Sequence, residues 1–155
     1  MNLTSAKSAR PMITLAASLA LCFPMAVAWA GEAVHPVKMS KEQIAGKLFE
    51  DYEPVVIEHN GNVTHDVEVF RTQSGLFDAG MYTSGKVRAD ITEPYGVNEY
   101  MHFLKGGVTL TSSDGTVTEI RAGDSVVIPA EWTGVWDTDG YTKIYVIYSP
   151  DAPIE

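Results

Sequence analysis

The chain has 155 residues and a formal net charge of −9, from 20 acidic and 11 basic side chains. Nucleic acids and anionic membrane surfaces are themselves negatively charged, so this excess of acid argues against both as partners. The length suits one domain with one hydrophobic core.

The N-terminal region has the pattern of a secretory signal peptide spanning residues 1–30. Lys7 and Arg10 form a basic start, residues 12–28 carry no charge, and residues 28–30 read A-W-A. This order is typical of an exported protein, so we predict cleavage after residue 30, a periplasmic location and no stable membrane insertion after processing. An uncleaved anchor is the alternative, but an apolar run of about 17 residues is short for a membrane span.

Cleavage would change the composition of the protein. Residues 31–155 number 125 and carry a net charge of −11, and the single cysteine, Cys22, lies in the removed part. Leu21 precedes Cys22, where a lipoprotein would have a small residue. We therefore expect an exported domain that is stabilised by packing alone.

The N-terminal part of the mature chain, residues 31–74, contains a helix and strands. Ser40 and Gln43 have the spacing of a capping box, which predicts a short helix from there to about Glu50. Its apolar face comprises Ile44, Leu48 and Phe49. Apolar alternation then predicts strands at residues 55–57 and around residues 67–69, separated by an Asn-Gly turn.

From residue 75 to residue 150, short strands follow one another with turns between them. The predicted strands are residues 77–83, 86–92, 98–104, 108–112, 116–120, 125–128, 132–136 and 141–148. Asp114-Gly115 and Ala122-Gly123 mark two of the turns. Many short strands with little helix indicate an all-β antiparallel sandwich or barrel.

Two spacings in this region resemble the cupin motifs. Glu99 precedes Gly106 by seven residues, as at the end of the first motif, and Gly123 precedes Pro129 by six, as at the start of the second. With four further fragments, the chain resembles the small cupins of the ureidoglycine aminohydrolase-like and ethanolamine-utilisation protein Q-like group. The fragments are residues 75–80, 98–100, 122–129 and 143–147. The resemblance implies a cupin (RmlC-like) antiparallel jelly-roll barrel with a short N-terminal helix, with barrel core 75–150 and residues 31–74 forming one domain.

The metal ligands of that family are mostly absent from this sequence. The three histidine positions fall on Glu93, Tyr95 and Gly134, and only the glutamate position is kept, as Glu99. Transition-metal sites in proteins need three or four converging nitrogen, oxygen or sulfur donors. We therefore predict no tightly bound metal and no cofactor.

The candidate site is the interior of the barrel. Residues two apart on a strand share a face, so Glu99, Met101 and Phe103 point one way and His102 the other. The resemblance implies that the Glu99 face is the interior. The candidate ligand-binding residues are Tyr95, Met101, Phe103, Trp132 and Trp136, and the candidate acid–base pair is Glu93 and Glu99. The two tryptophans flank Gly134 and would form an apolar wall, with Gly134 leaving room beside them.

Three functions compete at this stage. In the first, an exported cupin without a tightly bound metal binds a small polar metabolite in its barrel. In the second, Glu93 or Glu99 is a general acid or base in an enzyme acting on such a metabolite. In the third, the protein is a structural dimer with a filled barrel, and Glu99 is a structural acid. A homodimer is expected because the N-terminal strands leave an edge to pair.

Overall fold

The computed structural model describes residues 33–154, and residues 1–32 and Glu155 lie outside this part. The predicted signal peptide, residues 1–30, lies outside the described residues, so it stays a prediction. Within residues 33–154, no helix combines the length and the apolar character needed to cross a membrane.

The helical segment begins at the predicted capping box. The Gln43 side chain accepts a hydrogen bond from the Ser40 backbone N–H (2.9 Å), and the Ser40 hydroxyl accepts one from the Gln43 N–H (3.2 Å). A π-helical turn, Gln43–Lys47, leads into the short helix α1, Leu48–Asp51. The segment ends before Pro54, as the sequence predicts, because proline cannot continue a helix.

Eight strands make up most of the described residues. They are β1 (Val55–His59), β2 (Asn62–Arg71), β3 (Phe77–Ser84), β4 (Val87–Ile91), β5 (Asn98–Ser112), β6 (Val117–Arg121), β7 (Ser125–Ile128) and β8 (Gly134–Tyr148). All pairings are antiparallel. The pairing order is β1-β2-β3-β8-β5-β6, while β4 pairs with β8 and β7 with β5.

The long strands β5 and β8 pair along their whole length and contribute to two layers. In the first layer, their halves at residues 98–106 and 141–148 are flanked by β7 and by β3, β2 and β1. In the second layer, their other halves are flanked by β6 and β4. One core cluster joins side chains from both layers, among them Phe103 of the first and Leu110 of the second.

The predicted breaks in these two strands are wrong. Residues 105–107 were predicted to form a turn, and residues 137–140 to separate two strands, but both stretches lie inside continuous strands, at or between two register shifts. Gly106 has a φ of 65°, and a Cβ atom there would lie 2.0 Å from the Gly140 carbonyl oxygen. The two glycines therefore let β5 and β8 cross closely at the bend between the layers.

Helix α1 covers the outer face of the first layer. Leu48 is buried there with Val67 and Met81, and Leu104 and Ile144 pack against them. The N-terminal segment thus has a place in the sheet that the sequence did not predict, because β2 pairs with β3 along most of its length. Side chains on the opposite, inner face of β2 consequently reach the barrel interior.

Candidate functional site

The barrel interior opens into a cavity of about 360 Å³. It lies between the inner face of the first layer, β4 and the loop that leads from β4 to β5. Its lining residues are Asp66, Tyr82, Ala89, Ile91, Tyr95, Glu99, Trp136, Tyr141, Lys143, Tyr145 and Ile147. Aromatic and aliphatic walls with a few converging polar groups are characteristic of small-molecule sites.

Three polar side chains form a buried cluster in the wall of this cavity, hereafter the Glu99 cluster. The Lys143 ammonium lies 2.5 Å from Glu99 Oε1, and the Tyr95 hydroxyl donates a hydrogen bond to Glu99 Oε2, also at 2.5 Å. The side chains of Lys143 and Glu99 are only 7% and 3% exposed. Each carboxylate oxygen thus has a donor, as a buried charge requires.

Aromatic rings surround the lysine. The Lys143 Nζ lies 5.3, 5.6 and 5.8 Å from the ring centroids of Tyr82, Trp136 and Tyr141. Cations at such distances are attracted to the face of an aromatic ring. The Lys143 ammonium also donates to Met101 Sδ at 3.1 Å, so two of its three N–H groups have partners within the described residues. The third has no hydrogen-bond partner among those residues.

Burial keeps the cluster's phenol protonated. Removal from water and the neighbouring Glu99 charge both raise the pKa of Tyr95 well above its usual range. Tyr95 is therefore a hydrogen-bond donor to Glu99 at any physiological pH. Its ring stacks parallel to that of Trp136, with 6.5 Å between centroids, which holds the hydroxyl against the carboxylate.

A second polar pair lies on the other side of the cavity. The Tyr145 hydroxyl donates a hydrogen bond of 2.9 Å to Asp66 Oδ1. Tyr145 reaches Asp66 across Gly80, where a Cβ atom would lie 2.6 Å from the phenol oxygen. Burial raises the pKa of Asp66, partly offset by the Tyr145 hydrogen bond, and burial followed by the Asp66 charge raises the pKa of Tyr145.

The Glu99 cluster does not fit a metal ion. Both oxygens of Glu99, the ligand position kept from the metal-binding cupins, already accept from Lys143 and Tyr95. The lysine ammonium is a positive charge that would repel a metal cation at this position. Among residues 33–154, no three His, Cys, Asp or Glu side chains converge as a metal site requires.

The structure brings together some of the residues predicted from the sequence. Tyr95, Glu99 and Trp136 line the cavity. Met101 and Phe103 are on the predicted inner face but are completely buried in the core beneath it. His102 is on the opposite face, as predicted, where its ring nitrogen bonds the Ser125 hydroxyl at 2.9 Å.

Two predicted residues lie outside the cavity wall. Glu93 is exposed in the loop between β4 and β5, so it does not pair with Glu99 in the interior. Trp132 packs edge-on against Tyr95, with 6.3 Å between centroids, and donates from Nε1 to the Ser112 hydroxyl. The room expected at Gly134 is filled, because a Cβ atom there would meet the Trp132 ring at 2.9 Å.

Two charged residues of the cavity, Lys143 and Asp66, are not among the predicted site residues. Lys143 lies in one of the fragments that resemble cupins, but the sequence predicts no role for it, and Asp66 lies in the N-terminal part, outside the predicted barrel core. A signal for Lys143 is present, because Tyr141, Lys143, Tyr145 and Ile147 alternate along one strand and share its inner face. A lysine within an otherwise apolar strand face is rarely buried without a partner.

A second concavity, of about 440 Å³, lies at the bend of β5 and β8, lined partly by the backbone of Gly106, Gly107 and Gly140. Its charged side chains are exposed and already paired at the surface, Glu119 with Arg121 and Asp137 with Arg88. The interior cavity, with its buried charges, is therefore the better candidate site.

The sequence profile of the EutQ-like cupin domain matches residues 73–145. This part of the chain is a cupin domain of the EutQ-like group. The cupin assignment agrees with the strand order and with the two-layer barrel, so the predicted all-β cupin jelly-roll fold is confirmed. No curated protein matches the chain in sequence.

Several solved structures resemble the fold at low sequence identity. A protein of unknown function from Rhizobium leguminosarum bv. viciae 3841 is 22% identical, over 72% of this chain and 98% of that one, with a TM-score of 0.50. One of unknown function from Pseudomonas syringae pv. tomato is 18% identical, over 62% of this chain and 42% of that one, with a TM-score of 0.53. The EutQ protein of Clostridium difficile is 21% identical, over 59% and 73%, with a TM-score of 0.49. At these identities the likeness concerns the fold alone.

Proposed function

We propose that the cupin barrel binds a small polar metabolite in its interior cavity without a tightly bound metal. The observation that carries the proposal is the Lys143 ammonium, which neutralises Glu99 at the cavity wall. In this arrangement the protein supplies its own cation at the glutamate that metal-binding cupins use for their ion. The third N–H of Lys143 offers a hydrogen bond to an oxygen of the metabolite.

The size and lining of the cavity support binding over the third alternative, a filled barrel. About 360 Å³ lies within the range of small-molecule pockets. Tyr82, Trp136 and Tyr141 give it aromatic walls, while Lys143 and Asp66 supply charged groups at two places. A molecule with both apolar and polar surface would complement such a lining.

Acid–base catalysis by Glu93 and Glu99 has less support. Glu93 is exposed outside the cavity, and both oxygens of Glu99 already accept short hydrogen bonds. Each oxygen keeps a second lone pair, but the carboxylate is 3% exposed and held by two donors, so it is poorly placed to reach a substrate proton. We therefore propose binding, and not turnover, as the function.

A cavity-filling variant tests the proposal. Native mass spectrometry of the protein from its own periplasm should show a retained small molecule, and thermal melts against a metabolite library should identify compounds that stabilise it. Ala89 lines the cavity, so Ala89→Leu should abolish both signals. Arg88→Leu, which places the same side chain on the opposite face of β4, should keep them. Equal ligand responses of the two variants would contradict the proposal.

The absence of a tightly bound metal is tested by elemental analysis of protein prepared without a metal-affinity tag. We expect zinc, iron, manganese and nickel well below one equivalent, because Lys143 competes for the position. Near one equivalent of any of these, lost in Glu99→Gln, would show that the lysine moves aside for an ion.

We also propose export to the periplasm, supported by the pattern of residues 1–30. The mature N-terminus should be Gly31, which mass analysis of the protein from its native cell would show. An N-terminus at Met1, or a lipid on Cys22, would rule out the proposed processing.

The homodimer is supported by strand β1. Among residues 33–154 it pairs on one side only, with β2, and Val55, Val56 and Ile57 are 64%, 54% and 58% exposed. We propose that β1 pairs with β1 of a second copy, because an apolar unpaired edge is otherwise prone to aggregation. Light scattering should give twice the chain mass, and Val56→Pro, which prevents edge pairing, should give a monomer. A monomeric parent protein would refute the dimer.

A further inference from the structure

We infer that the ligand of this cavity is a small organic cation, a protonated primary amine, whose ammonium group binds Asp66. The inference rests on the proposed small-molecule function and assigns the chemical class of its ligand. It follows from the charges at the two sides of the cavity, from the aromatic lining between them, and from the register of three adjacent strands.

The register places Asp66 and Lys143 on the same face, at opposite sides of the cavity. Asp66 on β2 lies opposite Tyr82 on β3, and Tyr82 lies opposite Lys143 on β8. Directly opposed residues of antiparallel strands present their side chains on the same face. Since neighbouring strands lie about 4.8 Å apart, the backbones at Asp66 and Lys143 are separated by about 10 Å. One small molecule can therefore contact both.

The Lys143 side of the cavity is already neutral. Its ammonium is 2.5 Å from Glu99, and both side chains are almost completely buried. A ligand needs to bring no charge to this side. What remains there is a single N–H donor, which suits a neutral acceptor oxygen.

The Asp66 side, by contrast, has an excess of negative charge. Asp66 lines the cavity, and its only side-chain hydrogen bond within residues 33–154 comes from the neutral Tyr145 hydroxyl. Next to it, Arg71 is shared by two carboxylates, Glu68 at 2.7 Å and Asp78 at 2.9 Å. Glu68 and Asp78 thus share the one guanidinium, and the cation that acts on Asp66, Lys143, is paired with Glu99.

A buried carboxylate beside the cavity lining adds to this negative charge. Asp78 is 4% exposed in its side chain, and its Oδ1 has no hydrogen-bond partner among the described residues. Asp78 lies opposite Ile147 of the cavity lining and carries a charge that acts on Asp66. An added cation would lower the electrostatic cost of this cluster, whereas an added anion would increase it.

The lining of the cavity favours an organic cation over a hydrated ion. Tyr82, Trp136, Tyr141 and Tyr145 present aromatic rings to the space between Asp66 and Lys143. Such rings attract organic ammonium groups and pack against their carbon atoms. A primary amine can donate one hydrogen bond to the open Oδ2 of Asp66 while its carbon chain lies along the rings.

The experiment compares four-carbon probes that differ in one feature each, measured by calorimetry on the purified protein. The probes are butylamine, 4-aminobutan-1-ol, butan-1-ol and butyrate. We expect both amines to bind, the amino alcohol more tightly because its oxygen can accept from Lys143, and the alcohol and butyrate to bind at least about tenfold more weakly. Equal or tighter binding of butan-1-ol or butyrate would overturn the inference.

Asp66→Asn provides the matched variant, because it removes the charge and keeps the shape. It should weaken the binding of both amines by about tenfold or more and leave the binding of butan-1-ol unchanged. Asp90→Asn, which removes an exposed carboxylate on the outer side of β4, is the control and should bind amines as the parent does. Unchanged amine affinity in Asp66→Asn would overturn the assignment.

The pH dependence of amine binding gives a second measurement on the parent protein alone. Protonation of Asp66 removes the counter-charge, so amine affinity should fall as the pH is lowered through its titration, while butan-1-ol affinity stays constant. The charged and titratable groups around Asp66 are Tyr145, Tyr82, Lys143, Asp78 and Glu68, and the two phenols stay protonated in the acidic range because burial raises the pKa of both. A flat profile would overturn the inference. If no amine binds although a metabolite co-purifies, the proposed function stands and the amine class is wrong.

Discussion

Lys143→Met is the substitution that most directly tests the Glu99 cluster. Methionine has a similar length and no charge, so the variant leaves the Glu99 carboxylate buried with Tyr95 as its remaining donor. Removing one partner of a buried ion pair costs about 3–5 kcal/mol of folding free energy, because the other charge stays without compensation. For a domain of this size, about 4 °C per kcal/mol, this lowers Tm by about 12–20 °C.

The double variant, Lys143→Met with Glu99→Gln, distinguishes the effect of losing the ion pair from the effect of leaving one charge unpaired. Glu99→Gln alone leaves the Lys143 ammonium without its counter-charge and should cost a similar amount. With both substitutions no buried charge remains, so the double variant should recover to within about 1–2 kcal/mol of the parent. The three variants and the parent thus form a cycle whose coupling energy should exceed about 2 kcal/mol.

The assay is urea unfolding followed by near- and far-UV circular dichroism, with thermal melts alongside. Lys86→Met is the matched control, because Lys86 makes a fully exposed ion pair with Asp139, and its loss should leave Tm unchanged. A Lys143→Met protein within about 1 kcal/mol of the parent, or a double variant no more stable than the single ones, would refute the buried, coupled pair.

Three further changes test other parts of the structure. Asp66→Asn should raise Tm at pH 7. Burial raises the Asp66 pKa, so the folded parent protein binds this proton more tightly than the unfolded chain and loses stability as the pH rises from about 3.8 through the raised pKa. The difference in Tm between the two proteins should therefore vanish in melts below pH 3.8. Gly106→Ala should lower the free energy of unfolding in urea by more than about 2 kcal/mol, because the new Cβ would meet the Gly140 carbonyl. Gly115 also has a positive φ but open space around it, so Gly115→Ala should lower this free energy by less. Equal losses in the two variants would show that the bend at Gly106 is not tight. Ser40→Ala should cost about 0.5–2 kcal/mol through loss of the helix cap, and a smaller effect in the same melts would mean that the capping bond contributes nothing.

Much of the fold could be predicted from local patterns in the sequence. The Ser40–Gln43 capping box, most of the strand positions and the inner orientation of Glu99 all follow from interactions within a few residues or from strict alternation. The breaks predicted at residues 105–107 and 137–140 were wrong because the local pattern there is ambiguous. Glycine, which is present in both stretches, signals a turn or a bulge equally well, and only the pairing with the neighbouring strand decides between them.

The candidate site could be predicted only in part. Tyr95, Glu99 and Trp136 were identified because the cupin motif and strand alternation point to them. Glu93 was placed in the same interior, but the loop after β4 carries it to the surface.

The sequence by itself determined most of the strand positions, which faces of those strands turn inward, and that the family's usual metal ligands are missing. Only the tertiary structure decided what replaces them. Lys143 is 44 residues from Glu99 along the chain, and Asp66 is 79 residues from Tyr145. Alternation gives the face of a strand but not the strand beside it, so contacts of this kind depend on the register of the sheet. The long lysine side chain, turned along the inner face towards Glu99, then completed a buried charge pair that no local pattern specifies.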